Sequence, residues 1–180
     1  SGIFKALGLL QSGSALKGVQ KGKFTTSQNG VGGSSTNGVS EWFKVRVFKN
    51  KKIYALDFLD YVPGLFDDNG VFKPVKDNSE IFTLKDNRSK EDKELFAHGS
   101  SVEFKLNDKW FIVPYPFDKE DIIARIRGAA YLYPHTTMEV LDEQEDGSFD
   151  KQIFNSEEGI KELVDIQVGN NITKIIDFNG

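Results

Sequence analysis

Cysteine is absent from the 180-residue chain, and histidine is nearly so, with only His98 and His135 present. The first absence excludes disulfide frameworks, Cys-ligated zinc, iron–sulfur clusters and a cysteine nucleophile. The second leaves too few imidazoles for a His-rich metal centre or a His-dependent triad. Long apolar runs are also missing. No stretch approaches the roughly 20 residues of a membrane-spanning helix, and none has the layout of a signal peptide. The expectation is a cytoplasmic protein with no membrane partner. Position 1 is Ser rather than Met, which reads as a processed, tagged or excised piece.

Acidic residues are scarce in one half only. Residues 1–50 carry seven of the 23 lysines and arginines and a single acid, Glu41, about +6; the other 130 residues then carry 16 basic against 26 acidic side chains, about −10, giving the total of −4. Nine of the 17 glycines lie before position 40. A basic, glycine-rich, acid-poor stretch suits a phosphate-bearing ligand, because backbone N–H groups and lysines can both face it. A flexible solvated loop has the same composition.

The hydrophobic pattern supplies the elements. Ile3–Leu10 has helical spacing and stops at Ser12-Gly13-Ser14. Residues 13–33 form a long polar loop or lid. A helix is predicted over Ser34–Val39 with Ser34 or Ser35 as its N-cap. Residues 42–48 and 52–58 alternate, and Asn50-Lys51 between them has hairpin length. In 60–98, Pro63-Gly64, Asp67–Gly70 and Asp86–Arg88 are turn signals; strands are predicted near 71–75 and 81–84, and Ser89–Glu94 is a solvated charge run. This segment reads as an insertion. Short strands follow at 101–104 and 110–113. Asp118–Ala130 is the strongest helix, with acids in its first turn and Ile122, Ile123, Ile126, Ala129 and Ala130 on one face. A hairpin follows, with strands at 137–141 and 151–154 and a turn at 143–147. A helix at 157–166 and a strand at 172–178 close the chain. The fold class expected is α+β, a two-layer sandwich of a mostly antiparallel sheet and helices.

Ser27-Gln28-Asn29-Gly30-Val31-Gly32-Gly33 ahead of a helix start is the most informative local feature. Its glycines allow close backbone approach, and the next helical turn presents unpaired N–H groups to an anion. It is neither a P-loop nor a dinucleotide fingerprint. Asp142, Glu143, Glu145 and Asp146 sit at a hairpin tip and read as solvated acids. His135, after Pro134, reads as structural.

In order, the segments resemble the ATPase region of type IIA DNA topoisomerase B subunits, of the GHKL or Bergerat nucleotide-binding fold. Ile3–Leu10 with Gln11–Ser14 is similar to the helix and "LHAGGKF"-like approach to the family's ATP lid. Asn29-Gly30-Val31-Gly32 resembles its "HGVG" phosphate turn, and Asn37-Gly38-Val39-Ser40 its "NALS". His98–Phe104 is similar to "TGTxVxF", whose hydroxyl residue after glycine, here Ser100, helps hold the adenine end. Residues 123–132 resemble "LAKRLRELAFLN", and Asp142-Glu143, Phe154 and Glu158–Val164 resemble "KDER…F…GGIKAFVEYL".

The resemblance implies ATP and Mg²⁺ as cofactors. It implies phosphate binding by Gln28, Asn29, Gly30, Val31 and Gly32, and a lid at about 11–33 that includes Gly13, Lys17, Lys21 and Lys23. Residues 1–168 would be the C-terminal portion of the ATPase domain, with an insertion at about 60–97, and 169–180 the start of a transducer-like domain. The partners implied are DNA through the full-length enzyme, a second copy of the same polypeptide, and the A subunit. Departures are present: Ser27 stands at the lid's first glycine, and Ala15 at its lysine, with Lys17, Lys21 or Lys23 nearby. The family's catalytic Glu, Mg-binding Asn and adenine-binding Asp lie upstream of the matched stretch, and the γ-phosphate lysine downstream. The fold is therefore expected to be incomplete, the metal ligand to lie outside this chain, and the isolated chain to be inactive. Alternatives are a sister GHKL protein, a non-enzymatic protein-binding module, or a split subunit completed by a partner chain.

Overall fold

A computed structural model describes residues 2–8, 31–76, 80–95, 97–112 and 117–168. The chain divides into two compact units, Ser1–Pro114 and Tyr115–Gly180.

The first unit is built on a hairpin. Strands β1 (Ser40–Lys49) and β2 (Lys52–Leu59) pair from Trp42 opposite Leu59 to Lys49 opposite Lys52. The connecting residues Asn50 and Lys51 have φ of 54° and 59°, the left-handed pair that matches strand twist in a two-residue turn. Phe43 faces Phe58 and Val45 faces Leu56, all four between 1 and 3% exposed. Burying each such side chain contributes roughly 1.5–3 kcal/mol. Helix α1 (Gly2–Leu7) lays Ile3, Phe4 and Leu7 over this cluster, with Phe4 stacked on Phe58 at 6.5 Å. Helix α2 (Gly32–Gly38) feeds directly into β1.

Strands β3 (Val62–Phe66), β4 (Phe72–Pro74), β5 (Phe82–Leu84) and β6 (Gly99–Leu106) complete an antiparallel sheet ordered β4-β3-β2-β1-β6. β3 and β5 divide one edge of β2 between them, at Asp57–Leu59 and Ile53–Ala55. The segment read as an insertion therefore supplies three strands to the sheet, together with a short exposed helix, α3 (Lys90–Leu95). Because β2 is central, it is buried on both faces. Opposite the apolar cluster, Asp57, 0% exposed, takes two guanidinium N–H groups of Arg46 and the Phe66 backbone N–H at 3.0 Å.

In the second unit, helix α4 (Lys119–Leu132) is capped by the Asp118 carboxylate, which accepts the Asp121 N–H at 3.1 Å. It packs on the hairpin of β7 (Met138–Glu143) and β8 (Phe149–Phe154) and on helix α5 (Ile160–Val168). Ile123 and Ala130 are its buried residues.

The α+β class, the antiparallel pairing, both hairpins and the long helix are as expected from sequence. Five local expectations are corrected. The helix before β1 begins at Gly32, and neither Ser34 nor Ser35 caps it; the Ser34 hydroxyl instead donates to the Val31 carbonyl within the first turn, at 3.0 Å. Pro63-Gly64 is not a turn but lies in β3, with Pro63 opposite Phe58 and Gly64 opposite Asp57. The turn sits upstream at Asp60-Tyr61, with φ of 45° and 68°. A side chain at position 64 would put its Cβ 2.4 Å from the Phe72 ring and 2.5 Å from the Lys73 carbonyl, so close approach of β4 is what requires glycine there. Trp110 is in a 3-10 turn (Asp108–Trp110), where the Asn107 side chain accepts the Lys109 N–H at 3.2 Å, rather than in a strand. The second hairpin's return strand begins at Phe149, ahead of the expected Lys151. The last helix starts at Ile160 instead of 157, after the Ser156 hydroxyl has accepted the Gly159 N–H at 2.8 Å and donated to Glu162 at 2.6 Å. The end of the first predicted helix (Leu9, Leu10), its stop signal, residue 113 and the strand at 172–178 lie outside the described residues.

Candidate functional site

The described part of the candidate site starts at the head of α2. The Val31 carbonyl accepts the Ser35 N–H at 2.8 Å, and no side chain caps the helix. Among the described residues, a Cβ built on Gly32 would have nothing within 4 Å. The other end of α2 is tied to α1. Asn37, 1% exposed, donates from Nδ2 to the Leu7 carbonyl at 3.1 Å, and the Tyr61 hydroxyl donates to the Gly8 carbonyl at 2.6 Å. These two bonds satisfy carbonyls at the C-terminus of α1 that the helix itself leaves over. The Ser40 hydroxyl, donating to the Thr36 carbonyl at 2.6 Å, closes the step from α2 into β1. Asn37 Oδ1 is buried without a partner among the described residues.

The sheet provides the second part. β6 pairs with β1 so that Phe104, Val102 and Ser100 stand opposite Phe43, Val45 and Val47. Cross-strand partners share a face, so these three residues lie on the face that α1 covers. All three are open to solvent: Phe104, stacked on Phe43 at 5.9 Å, is 38% exposed, Val102 is 47% exposed, and Ser100 is exposed. The result is an apolar floor ending in a hydroxyl, which suits a flat ring with a polar edge. Ser40, where α2 joins β1, and Val47, the partner of Ser100, are seven residues apart on one strand, roughly 23 Å at the usual rise.

Of the residues singled out from sequence, the structure places Val31 and Gly32 at the head of α2 and Ser100 on β6. Gln28, Asn29, Gly30, Gly13, Lys17, Lys21 and Lys23 lie outside the described residues. Asn37 and Tyr61 escaped the sequence reading as ties; Asn37-Gly38 was a visible signal, but its carbonyl partner is 30 residues away.

The acidic hairpin tip behaves as a solvated turn. The Asp146 carboxylate accepts the Ser148 N–H at 2.9 Å and hydroxyl at 2.6 Å, and these bonds hold it below the usual carboxylate range. Asp142 is lowered chiefly by Lys119 at 2.6 Å, and Lys119 is raised in turn. His135 takes φ of 65° and donates its N–H to the Ser156 carbonyl at 2.9 Å, a structural role. Among the described residues no cluster of three His, Asp or Glu side chains is placed to hold a metal, and no helix is long and apolar enough to cross a membrane.

No protein-family model matches the chain. It is 30% identical over 154 residues to the B subunit of DNA topoisomerase 4 from Enterococcus faecalis, a match that takes in 84% of this chain and 19% of that protein. It is 28% identical over 143 residues to the B subunit of DNA topoisomerase 4 from Mycoplasma pneumoniae, covering 79% of this chain and again 19% of the relative. The chain thus spans about a fifth of the length of these curated relatives. Its fold matches the crystal structure of the 43K ATPase domain of Thermus thermophilus gyrase B in complex with an aminocoumarin, with a TM-score of 0.56 and 24% identity over 78% of this chain and 32% of that one. By sequence the chain belongs to the type IIA DNA topoisomerase B subunits, of which it spans one stretch, and by fold it is similar to the gyrase B ATPase domain.

Proposed function

We propose that this chain supplies the ATP lid and phosphate-binding turn of a type IIA DNA topoisomerase, for ATP-driven dimerisation and DNA strand passage. In this reading residues 1–168 are the C-terminal portion of the ATPase domain, with the lid at about 11–33, and 169–180 begin a transducer-like domain. Backbone N–H groups of Gln28 to Gly32 cradle the phosphates, Gly13, Lys17, Lys21 and Lys23 belong to the lid, and Ser100 holds the adenine end. The observation that carries the reading is the open stretch of the α1-covered face, where Phe104, Val102 and Ser100 on β6 are all exposed.

The chemistry expected of these groups is binding and orientation. Exposed Val102 takes ring area out of water, and the Ser100 hydroxyl meets a polar ring edge. Hydrolysis also needs a general base and a metal ion to neutralise phosphate charge. The described residues do not fit Mg²⁺, since they offer no three-ligand cluster. DNA, a second copy of the polypeptide and the A subunit are partners of the complete enzyme in this proposal.

Two measurements test it. Calorimetric titration with a non-hydrolysable ATP analogue should give saturable binding, weakened by Val102→Lys. The purified chain alone should turn over no ATP with or without Mg²⁺. Metal-dependent turnover would overturn the assignment of base and metal ligand to another part of the enzyme, and absence of analogue binding would overturn the nucleotide site.

A further inference from the structure

The tip of the β1–β2 hairpin carries a second concentration of charge, away from the α2 head. Lys49, Lys51 and Lys52 fall within four residues and are all exposed. Lys49 and Lys52 are directly opposite each other as the last pair of the ladder, an arrangement of like charges that works against the hairpin. Lys51 sits at φ of 59° in a turn position where glycine is the favoured residue. Two features of this tip therefore oppose folding, and both follow from having lysine there.

These lysines also differ from most others in the structure. Lys73, Lys90, Lys105, Lys109, Lys119, Lys151 and Lys161 each reach a carboxylate within 4.0 Å. Among the described residues Lys49, Lys51 and Lys52 form no such pair. Lys52 stands opposite Lys49 on the ladder, and Lys49 and Lys51 rim a concavity of about 670 Å³ that Phe48, His98 and Gly99 also line. An adjoining hollow of about 270 Å³ shares those three residues and adds Arg88, Ser100 and Ser101. The carboxylate beside it, Asp86, is held by Arg88 through contacts of 2.9 and 3.0 Å and does not neutralise the lysines.

We propose that the β1–β2 hairpin tip is a contact surface for the phosphate backbone of duplex DNA, read without regard to base sequence. Duplex DNA presents closely spaced negative charges along its length, and three ammonium groups on one hairpin tip, two of them on the rim of a groove, match such a line better than they match one small anion. Choosing DNA over another polyanion rests on the topoisomerase reading above; the charge geometry does not depend on it.

The test is fluorescence anisotropy of a short labelled duplex over a salt series with the full 180-residue chain. The triple variant K49Q/K51Q/K52Q keeps the aliphatic stems and relieves the Lys49–Lys52 repulsion, so amide spectra should confirm a folded hairpin. Losing three phosphate contacts should reduce the slope of log K against log salt by about 2–3, at roughly 0.9 per contact. The charge-matched variant K76Q/K151Q/K161Q should leave most of the slope in place. The proposal is overturned if the unmodified chain does not bind duplex, if the tip variant keeps its slope, if the control variant loses as much, or if polyglutamate competes as well as unlabelled duplex. ATP-analogue binding measured on the same variants separates this result from the nucleotide site, because the tip variant should retain it.

Discussion

Both units of the chain carry exposed ion pairs, and they differ in how much buried apolar surface stands behind them. In the first, Phe43, Val45, Leu56 and Phe58 form a closed cluster under α1, and the opposite face of β2 buries Asp57 against Arg46. In the second, Ile123 and Ala130 are buried on α4, while Leu141, Phe149 and Ile153 on the hairpin remain 55–59% exposed. That hairpin leans on exposed ion pairs instead: Lys119 with Asp142 at 2.6 Å and Asp150 at 3.7 Å, Lys151 with Glu139 at 2.6 Å, and Arg127 over the Phe154 ring at 5.4 Å. Buried apolar area keeps its value across salt and pH, whereas exposed pairs are screened and titrate. The first unit should therefore resist solution conditions that loosen the second.

Substitutions and solvent changes can break this contrast, and they rank by expected effect. Phe58→Ala removes a ring at the centre of the cluster and should cost about 3–5 kcal/mol, read as loss of hydrogen-exchange protection across β1, β2 and β6. Asp57→Ala leaves the Arg46 charge uncompensated and the Phe66 N–H without its acceptor, with an expected loss of about 3 kcal/mol; Asp57→Asn should recover part of it. Gly64→Ala forces Cβ into the Phe72 ring and the Lys73 carbonyl, and should lower the thermal midpoint and release β4 ahead of β1 and β2. The smallest effect belongs to the second unit. Lys119→Met should raise exchange in β7 and β8 at low salt, a difference that fades near 1 M salt, where screening reaches about 3 Å. If the Lys119 effect survives high salt, or matches that of Phe58→Ala, the contrast between the units fails.

The titration behaviour sharpens the same comparison. Asp142 is depressed by its contact with Lys119, so the stability it lends the hairpin is present above its unfolded value, near 4, and is lost as pH falls through the lower folded one. Lys119 is raised, so its share is complete below its unfolded value and is lost as pH rises through the folded one. Amides of the second hairpin should loosen at both extremes. In the first unit, Asp86 is lowered to about 2 by the Arg88 guanidinium, so its contribution fades between about pH 4 and about pH 2, an acid-side effect alone.

The difference between the units also governs what the sequence made legible. The alternation over 42–58 reports a strand pair whose partners are neighbours in sequence, and the acids and isoleucines of 118–132 report a helix stabilised along its own length. Both are local. β3 was hidden because Pro63-Gly64 is a turn signal when read alone; its strand role depends on Phe72 and Lys73 closing over Gly64, which no short window contains. The start of α2 was misplaced because serine is a common cap, whereas here Ser34 is turned inward onto Val31. Of the candidate site, the strand that carries Ser100 was legible through the His98–Phe104 segment. The ties that hold α2 and the β2–β3 turn to the end of α1, Asn37 to Leu7 and Tyr61 to Gly8, span 30 and 53 residues and leave no periodic trace.

In the proposed function the α1-covered face of the sheet and the head of α2 belong to one nucleotide site. It is tested most directly by titrating isotopically labelled chain with a non-hydrolysable ATP analogue and following backbone amides. Val31 and Gly32 at the head of α2, and Ser100 and Val102 on β6, should shift together along one saturation curve while β7 and β8 stay still. Saturating analogue that leaves either pair unmoved, or that moves the two pairs with different affinities, would contradict it.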